Sequence, residues 1–381
     1  MESLEFQNGT KKQQVGTAME LKKREFIAAS VGLGVGLATA TGEAKAQQAP
    51  ITQNLGATRP GEAINSGKQP SSVDLHYKPR RFNKVIELWE DGQPAYYTTV
   101  RPTRGVDSYE LGKAMCKTWA DMINYDMEHD LFDFKELRDF MQGLADGGGT
   151  RSGHRFPAVF VTSPVLGLSE NYMLANSWVL GQLLDLGVTG IQLCHARDPS
   201  AVEVAAHMAC RYPFDYPGVP KLKRQGLRGA SAGVANKVWG MNNAQYVRIA
   251  DLYPLNPKGE ILFGLKIEDT FANANAGASM AVPGVAFAEW GPTDNNYWLN
   301  GFDGLPLDGS RFDEAKFPKM IAIRDKVLAL CKAHNVRYLN AATPTGFNYV
   351  LDQIRDGAML MVGTEETVQM GREHTRRKMP V

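Results

Sequence analysis

The sequence predicts an α/β protein built as a (β/α)8 TIM barrel over residues 81–381. Short β-branched runs alternate with longer segments of helical period, the pattern of βα units on a parallel sheet. Eight such runs follow one another, as a closed barrel requires. No Gly-x-Gly-x-x-Gly joins a strand to a helix, so an open nucleotide-binding sheet is disfavoured. The similar glycines Gly32, Gly34 and Gly36 fall in the N-terminal segment, before any strand.

That segment, 1–46, reads as an export signal. Lys22-Lys23-Arg24-Glu25-Phe26-Ile27 precedes a Gly/Ala/Val/Leu run from Ala28 to Ala40, and Ala44-Lys45-Ala46 offers a small-x-small cleavage site. Basic, mildly apolar and cleavable segments in this order send a chain out of the cytoplasm. The Lys-Arg-x-Phe-Ile core resembles a twin-arginine signal with lysine at the first arginine. The expected location is the periplasm, with the cytoplasm as the alternative. The apolar run is too short and glycine-rich for a membrane anchor, which takes ~20 residues. Residues 47–80, rich in Gln, Pro, Gly and Ser at their start, read as a linker or an arm lying on a neighbouring subunit.

Within the barrel the expected strands are 96–100, 122–127, 158–162, 190–195, 261–267, 284–288, 336–340 and 358–362. Helices are expected at 134–144, 171–186, 200–210 and 317–333. The 42 basic and 41 acidic residues nearly cancel, and no Lys/Arg run points to nucleic acid. Four cysteines without a Cys-x-x-Cys pair suggest neither a disulfide framework nor a zinc ribbon. The expected partner is a small-molecule substrate, with no nucleic acid and no membrane.

Barrel chemistry sits at the C-terminal strand ends. Those ends carry Arg101 and Arg104, then Asp126, Glu128 and His129, then Thr162 and Ser163, then Cys194, His195 and Arg197. Lys266, Glu268 and Asp269 follow, then Glu289 (with Trp290 beside it) and Asp294, and finally Asn340 and Thr343. Consecutive strands ending in Glu268 and then Glu289 or Asp294 suit a hard, oxygen-ligated divalent ion. Magnesium or manganese is expected, with cobalt or zinc as further options. His195 reads as structural or as a substrate contact, and Thr162 and Trp290 as substrate contacts. A Cys194–His195 nucleophilic pair is disfavoured because neighbouring strand residues face opposite ways. Tyr297, Trp298 and Phe302, with Trp89, read either as packing or as an aromatic lid over an apolar substrate. His154 and Arg155 precede the third strand and read as structural, whereas His207 reads as a surface or helix residue.

Four motifs in order resemble the HpcH/HpaI aldolase and citrate lyase superfamily of metal-dependent lyases. They are Asp126-Met127-Glu128-His129, Gly226-Leu227-Arg228-Gly229, Lys266-Ile267-Glu268 and Gly291-Pro292-Thr293-Asp294. The resemblance covers residues 110–375. It implies that Glu268 and Asp294 hold the metal, with Glu289 the alternative second ligand. It also implies that His129, positioned by Asp126, acts as general base in a retro-aldol cleavage through an enolate. Glu128 is open between a water anchor and a helix-start carboxylate. Members commonly assemble as homo-oligomers, and the same is expected here.

Three departures bear on the substrate. The third strand, Ala158-Val159-Phe160-Val161-Thr162-Ser163-Pro164, lacks the arginine that meets a pyruvate-type substrate, which leaves Arg101 or Arg104 as replacements. Lys266 stands where glutamine is common, suited to binding a carboxylate or bridging to Glu268. Glu289-Trp290 replaces apolar residues. The expected reaction is therefore carbon–carbon cleavage of a hydroxy-keto acid or a related substrate, aryl-bearing ones included. A metal-dependent hydrolase, hydratase or decarboxylase and a non-catalytic binding barrel are the rival readings.

Overall fold

The computed structural model describes residues 67–101, 106–230, 232–308, 310 and 312–381. Residues 1–46, expected to be an export signal, residues 47–66 of the arm, and Arg104 lie outside the described residues. Eight parallel strands form the barrel: β1 Ala95–Val100, β2 Met122–Asp126, β3 Ala158–Leu166, β4 Gly190–Cys194, β5 Ile261–Lys266, β6 Val285–Glu289, β7 Arg337–Ala341 and β8 Ala358–Val362. Each pairs with its sequence neighbour, and β8 returns to β1 with Val362 opposite Tyr97. Between β4 and β5, Ile191 lies opposite Phe263. A two-residue strand, Leu252–Tyr253, adds to β5 from outside.

The expected strands lie where the pattern of β-branched runs places them. The exception is β3, which runs on to Leu166 through a register shift after Thr162. The expected helix at 200–210 divides into α5 (Pro199–Glu203) and a π-helical turn, Val204–Ala209. On it His207 is buried, with Nε2 2.7 Å from the Pro283 carbonyl. It is a core residue rather than the surface residue its polarity suggests.

Side chains alternate across each strand, so one set faces the surrounding helices and the other the lumen. The outer set includes Ile123, Tyr125, Val159, Val161, Ile191, Leu193, Phe263 and Leu265, and belongs to the main core under the helices. The inner set changes character along the barrel axis. At the N-terminal end Tyr97, Met122, Phe160, Leu262, Phe287 and Leu360 pack with Val85, Ile86, Leu88 and Trp89 of helix α1 (Lys84–Glu90), which plugs that end. Trp89 donates to the Met359 carbonyl at 2.7 Å, so it belongs to the plug and not to a substrate lid. Gly264 makes room for the Phe287 ring, which a Cβ there would meet at 2.2 Å. Towards the opposite end the lumen turns polar: Asn124, Thr162, Gln192, Lys266 and Asn340 are all buried.

The plugged end is locked electrostatically. Asp121, just before β2, takes both guanidinium nitrogens of Arg377 at 2.7 and 2.6 Å and the Tyr96 N–H at 3.0 Å. Lys84 Nζ stands 3.2 Å away. His154 meets Glu87 of α1 at 3.2 Å, a structural contact. The described part of the arm is held by its own chain, through Ser71 Oγ to Glu373 at 2.6 Å and Asp74 N–H to the Lys378 carbonyl at 2.9 Å.

Candidate metal and acid–base centre

At the open end, four strand ends build one cluster. Asp126 closes β2, and its Oδ1 accepts the N–H groups of Glu128 and His129, both at 3.1 Å. This local turn is why an aspartate is useful there: its carboxylate substitutes for a backbone acceptor and fixes the following loop. The same carboxylate lies 3.2 Å from His129 Nδ1 and accepts from Arg101 Nε at 2.9 Å. Burial works to raise the Asp126 pKa, but the bonds from His129 and Arg101 outweigh it and hold the carboxyl well below the usual range. In return Asp126 raises the His129 pKa by favouring the imidazolium. With Nδ1 committed to Asp126, Nε2 is the ring nitrogen left for a reacting group, and the side chain is 44% exposed.

Lys266 ends β5 pointing into the lumen, and its ammonium sits among carboxylates. Nζ lies 2.5 Å from Glu128 Oε2, 2.7 Å from Glu268 Oε2 and 3.8 Å from Asp294 Oδ2. Burial disfavours the ammonium, but the Glu268 and Glu128 carboxylates outweigh it and hold its pKa well above the ordinary lysine value. Burial pushes Glu268 up, against the pull of Lys266. Glu289 is likewise raised by burial. Three carboxylates, Glu128, Glu268 and Asp294, thus stand around one ammonium, so the cluster is short of positive charge.

The backbone around Glu268 is shaped to it. Gly291 adopts φ 50°, and a Cβ there would lie 2.2 Å from Glu268 Cβ, so the Gly291-Pro292 turn can pass this close only as glycine. Helix α9 (Pro292–Asn300) starts at that turn and carries Asp294 in its first turn. Buried Asn295 donates to the Ile267 carbonyl at 2.8 Å and also to the Trp290 carbonyl, joining the Glu268 loop to the Asp294 loop. The sequence reading missed Asn295; its proximity to Asp294 was the available signal.

His195 has a left-handed backbone, φ 45°, uncommon for a residue with a side chain. That conformation aims its N–H at Glu268 Oε1, 2.8 Å away, while Nδ1 lies 2.6 Å from Asp269 Oδ2. Arg197 Nε joins the same oxygen at 2.8 Å. Asp269 and Arg197, both among the strand-end residues the sequence marks, complete a second His–Asp pair beside Glu268. Cys194 does not pair with His195; its Sγ lies with the ligand oxygens of Glu128 and Glu268, all within 4.8 Å of one another. Burial pushes its thiol well up, so it stays protonated and neutral.

Other expected residues fall elsewhere. Thr162 is buried in the lumen, donating to Asn124 Oδ1 at 2.7 Å, and so sits beneath the mouth rather than at a substrate. Glu289 accepts from Gln192 Nε2 at 3.0 Å, and neither it nor Asp294 belongs to the group of converging Glu128, Cys194 and Glu268 atoms. Trp290 is fully buried with Nε1 donating to Asn340 Oδ1 at 2.8 Å, which removes it from the substrate contacts. Trp298 is 45% exposed at the mouth and, with Phe271, flanks the Arg197 guanidinium at 5.1 Å from each ring.

The oxygen-rich donor set suits a hard divalent cation. The shortage of positive charge fits one as well, on the condition that Lys266 Nζ does not remain between the same two glutamates.

No protein-family model matches the chain, and no curated protein matches it. Among solved structures, an HpcH/HpaI aldolase/citrate lyase family protein from Burkholderia cenocepacia J2315 is similar, with a TM-score of 0.54 and 20% identity. The match covers 77% of this chain and 97% of that one. An HpcH/HpaI aldolase from Desulfitobacterium hafniense DCB-2 gives a TM-score of 0.52 at 17% identity, over 76% of this chain and 94% of that one. Macrophomate synthase gives 0.50 at 18% identity, over 80% and 94% respectively. At these identities the likeness is one of fold.

Proposed function

We propose that this chain is a divergent HpcH/HpaI-type carbon–carbon lyase that cleaves a hydroxy-keto acid by a retro-aldol route. Glu268 and Asp294, with Glu128, would hold a magnesium or manganese ion. One observation carries the reading: three carboxylates from separate strand ends converge beside an Asp126–His129 pair at the C-terminal mouth of the barrel.

A divalent ion bound there supplies Lewis-acid stabilisation of an enolate oxygen. The protein's own groups supply the proton transfers. His129 Nε2 takes the proton from the substrate hydroxyl as the carbon–carbon bond breaks, and Asp126 steadies the resulting imidazolium. The electron pair of that bond passes to the keto-acid fragment, and the other fragment leaves as an aldehyde. Exposed Trp298 and Phe271, flanking the Arg197 guanidinium, support an aryl-bearing substrate that stacks on these rings. Export to the periplasm and homo-oligomeric assembly belong to the same proposal, on the sequence order of 1–46 and on the resemblance.

The test is to strip metal and restore magnesium, manganese, cobalt or zinc while assaying hydroxy-keto acids with alkyl and aryl substituents. An aldehyde and a keto acid should appear together, and only after add-back. Release of carbon dioxide or water without carbon–carbon cleavage would favour the decarboxylase or hydratase reading. Cleavage of small aliphatic substrates alone would remove the aryl assignment.

A further inference from the structure

Lys266 and Glu268 are two residues apart at the end of β5, so both side chains emerge on the lumen side. The Lys266 ammonium bridges Glu128 Oε2 and Glu268 Oε2, and the same two carboxylates converge as ligands for a divalent ion. A metal bonded to both carboxylates at ~2.0–2.6 Å competes with an ammonium already 2.5 and 2.7 Å from them. Two cations therefore have claims on one cradle. At the same mouth, β3 contributes no arginine, Arg101 is bonded to Asp126, and Arg197 to Asp269. A substrate carboxylate entering the cluster needs a positive partner, and Lys266 acquires that capacity once its glutamates are taken.

Resting on the metal-lyase reading above, we propose that Lys266 is a tethered cation that a divalent ion must displace. The displaced ammonium then binds the carboxylate of the incoming keto acid. In metal-free protein the ammonium stays between Glu128 and Glu268. Loading the metal transfers the lysine from protein carboxylates to substrate, so metal and substrate binding reinforce each other. The arginine absent from β3 is thereby replaced from β5, two strands further round the barrel.

The experiment measures binding rather than turnover, on the full chain. Manganese(II) binding is titrated by electron paramagnetic resonance for wild type, Lys266→Gln, Lys266→Met and Glu268→Gln. Oxalate, a small dianion mimicking a keto-acid enolate, is then titrated at saturating manganese. Both lysine variants should bind manganese about tenfold more tightly than wild type, and manganese-loaded variants should bind oxalate about tenfold more weakly. Two variants of different polarity, checked by circular dichroism, guard against a folding artefact. Equal or weaker manganese binding in both folded lysine variants overturns the displacement, and undiminished oxalate binding overturns the carboxylate role. If wild type and lysine variants bind manganese equally and Glu268→Gln does not, the lysine inference fails while the metal site stands. If none of the four binds manganese, both fail.

Discussion

His195 Nδ1 lies 2.6 Å from Asp269 Oδ2, and that carboxylate also caps the helix that follows it. Asp269 Oδ1 accepts the N–H groups of Phe271 and Ala272, both at 2.9 Å, at the start of α8 (Thr270–Met280). One residue thus anchors a helix and holds the imidazole whose backbone N–H reaches Glu268.

The two roles separate by substitution. Asparagine is a good N-cap, so Asp269→Asn should leave α8 and the melting temperature nearly intact. It removes the charge that orients His195 and pairs with Arg197, so kcat should fall more than KM rises. Asp269→Ala should in addition cost ~0.5–2 kcal/mol of stability by urea unfolding. Equal stability losses in the two variants would mean that the cap is not what Asp269 supplies to the fold.

His129 is tested by its rate. Removing a general base slows turnover by ~10^2–10^4, and His129→Ala should lie in that range. His129→Gln should do no better, because an amide accepts no proton at neutral pH. A variant within a few-fold of wild type would move the base elsewhere, with His195 the next residue to examine.

The barrel was legible in the sequence because each strand is a short apolar run bounded by turns, and lumen and outer residues alternate within it. The ends of those runs also marked Asp126, His129, Glu268 and Asp294, which the fold brings to one mouth. Residues whose role depends on neighbours in space were harder to read. Glu289 follows the strand pattern as well as Glu268 does, and only the closed barrel shows it turned to Gln192. Trp290 looks like a mouth aromatic until Asn340, on the next strand, is seen to take its N–H. Lys266 was visible as an oddity, but its place among three carboxylates from different strands lies beyond any local pattern.

Trp290 should therefore matter to folding before catalysis. Trp290→Phe keeps most of the ring volume but leaves the Asn340 Oδ1 acceptor buried without its donor. An unsatisfied buried group costs ~1–3 kcal/mol, so the unfolding free energy from urea titration should drop by that amount. Asn340→Ala in the same background should add less than it does alone, since the pair is already broken. A large rise in KM with unchanged stability would restore Trp290 to the substrate contacts.

The plug predicts how stability depends on pH. Glu87 accepts the N–H groups of Arg80 and Arg81, both at 2.9 Å, and contacts Tyr77 and His154. Burial would raise its pKa, but His154 and Tyr77, followed by the two backbone donors, outweigh it and bring it down to about 2. A carboxylate depressed in the folded state stabilises above its unfolded pKa, and that stability is lost as pH falls towards the folded value. For Glu87 the loss runs from the ordinary glutamate value, ~4.3, down to about 2. His154 is lowered, chiefly by burial and against the pull of Glu87. The unfolded chain therefore binds its proton first, and stability declines as pH drops below ~6.5. Both groups tilt the curve the same way, His154 in the upper part of the acid limb and Glu87 in the lower. Urea unfolding of Glu87→Gln between pH 3 and 8 should give a flatter limb below pH 4.5, with lower stability at neutral pH. His154→Gln should flatten the part nearer pH 6. Parallel limbs in wild type and Glu87→Gln would place the acid sensitivity elsewhere, with the Asp121 cluster the first alternative.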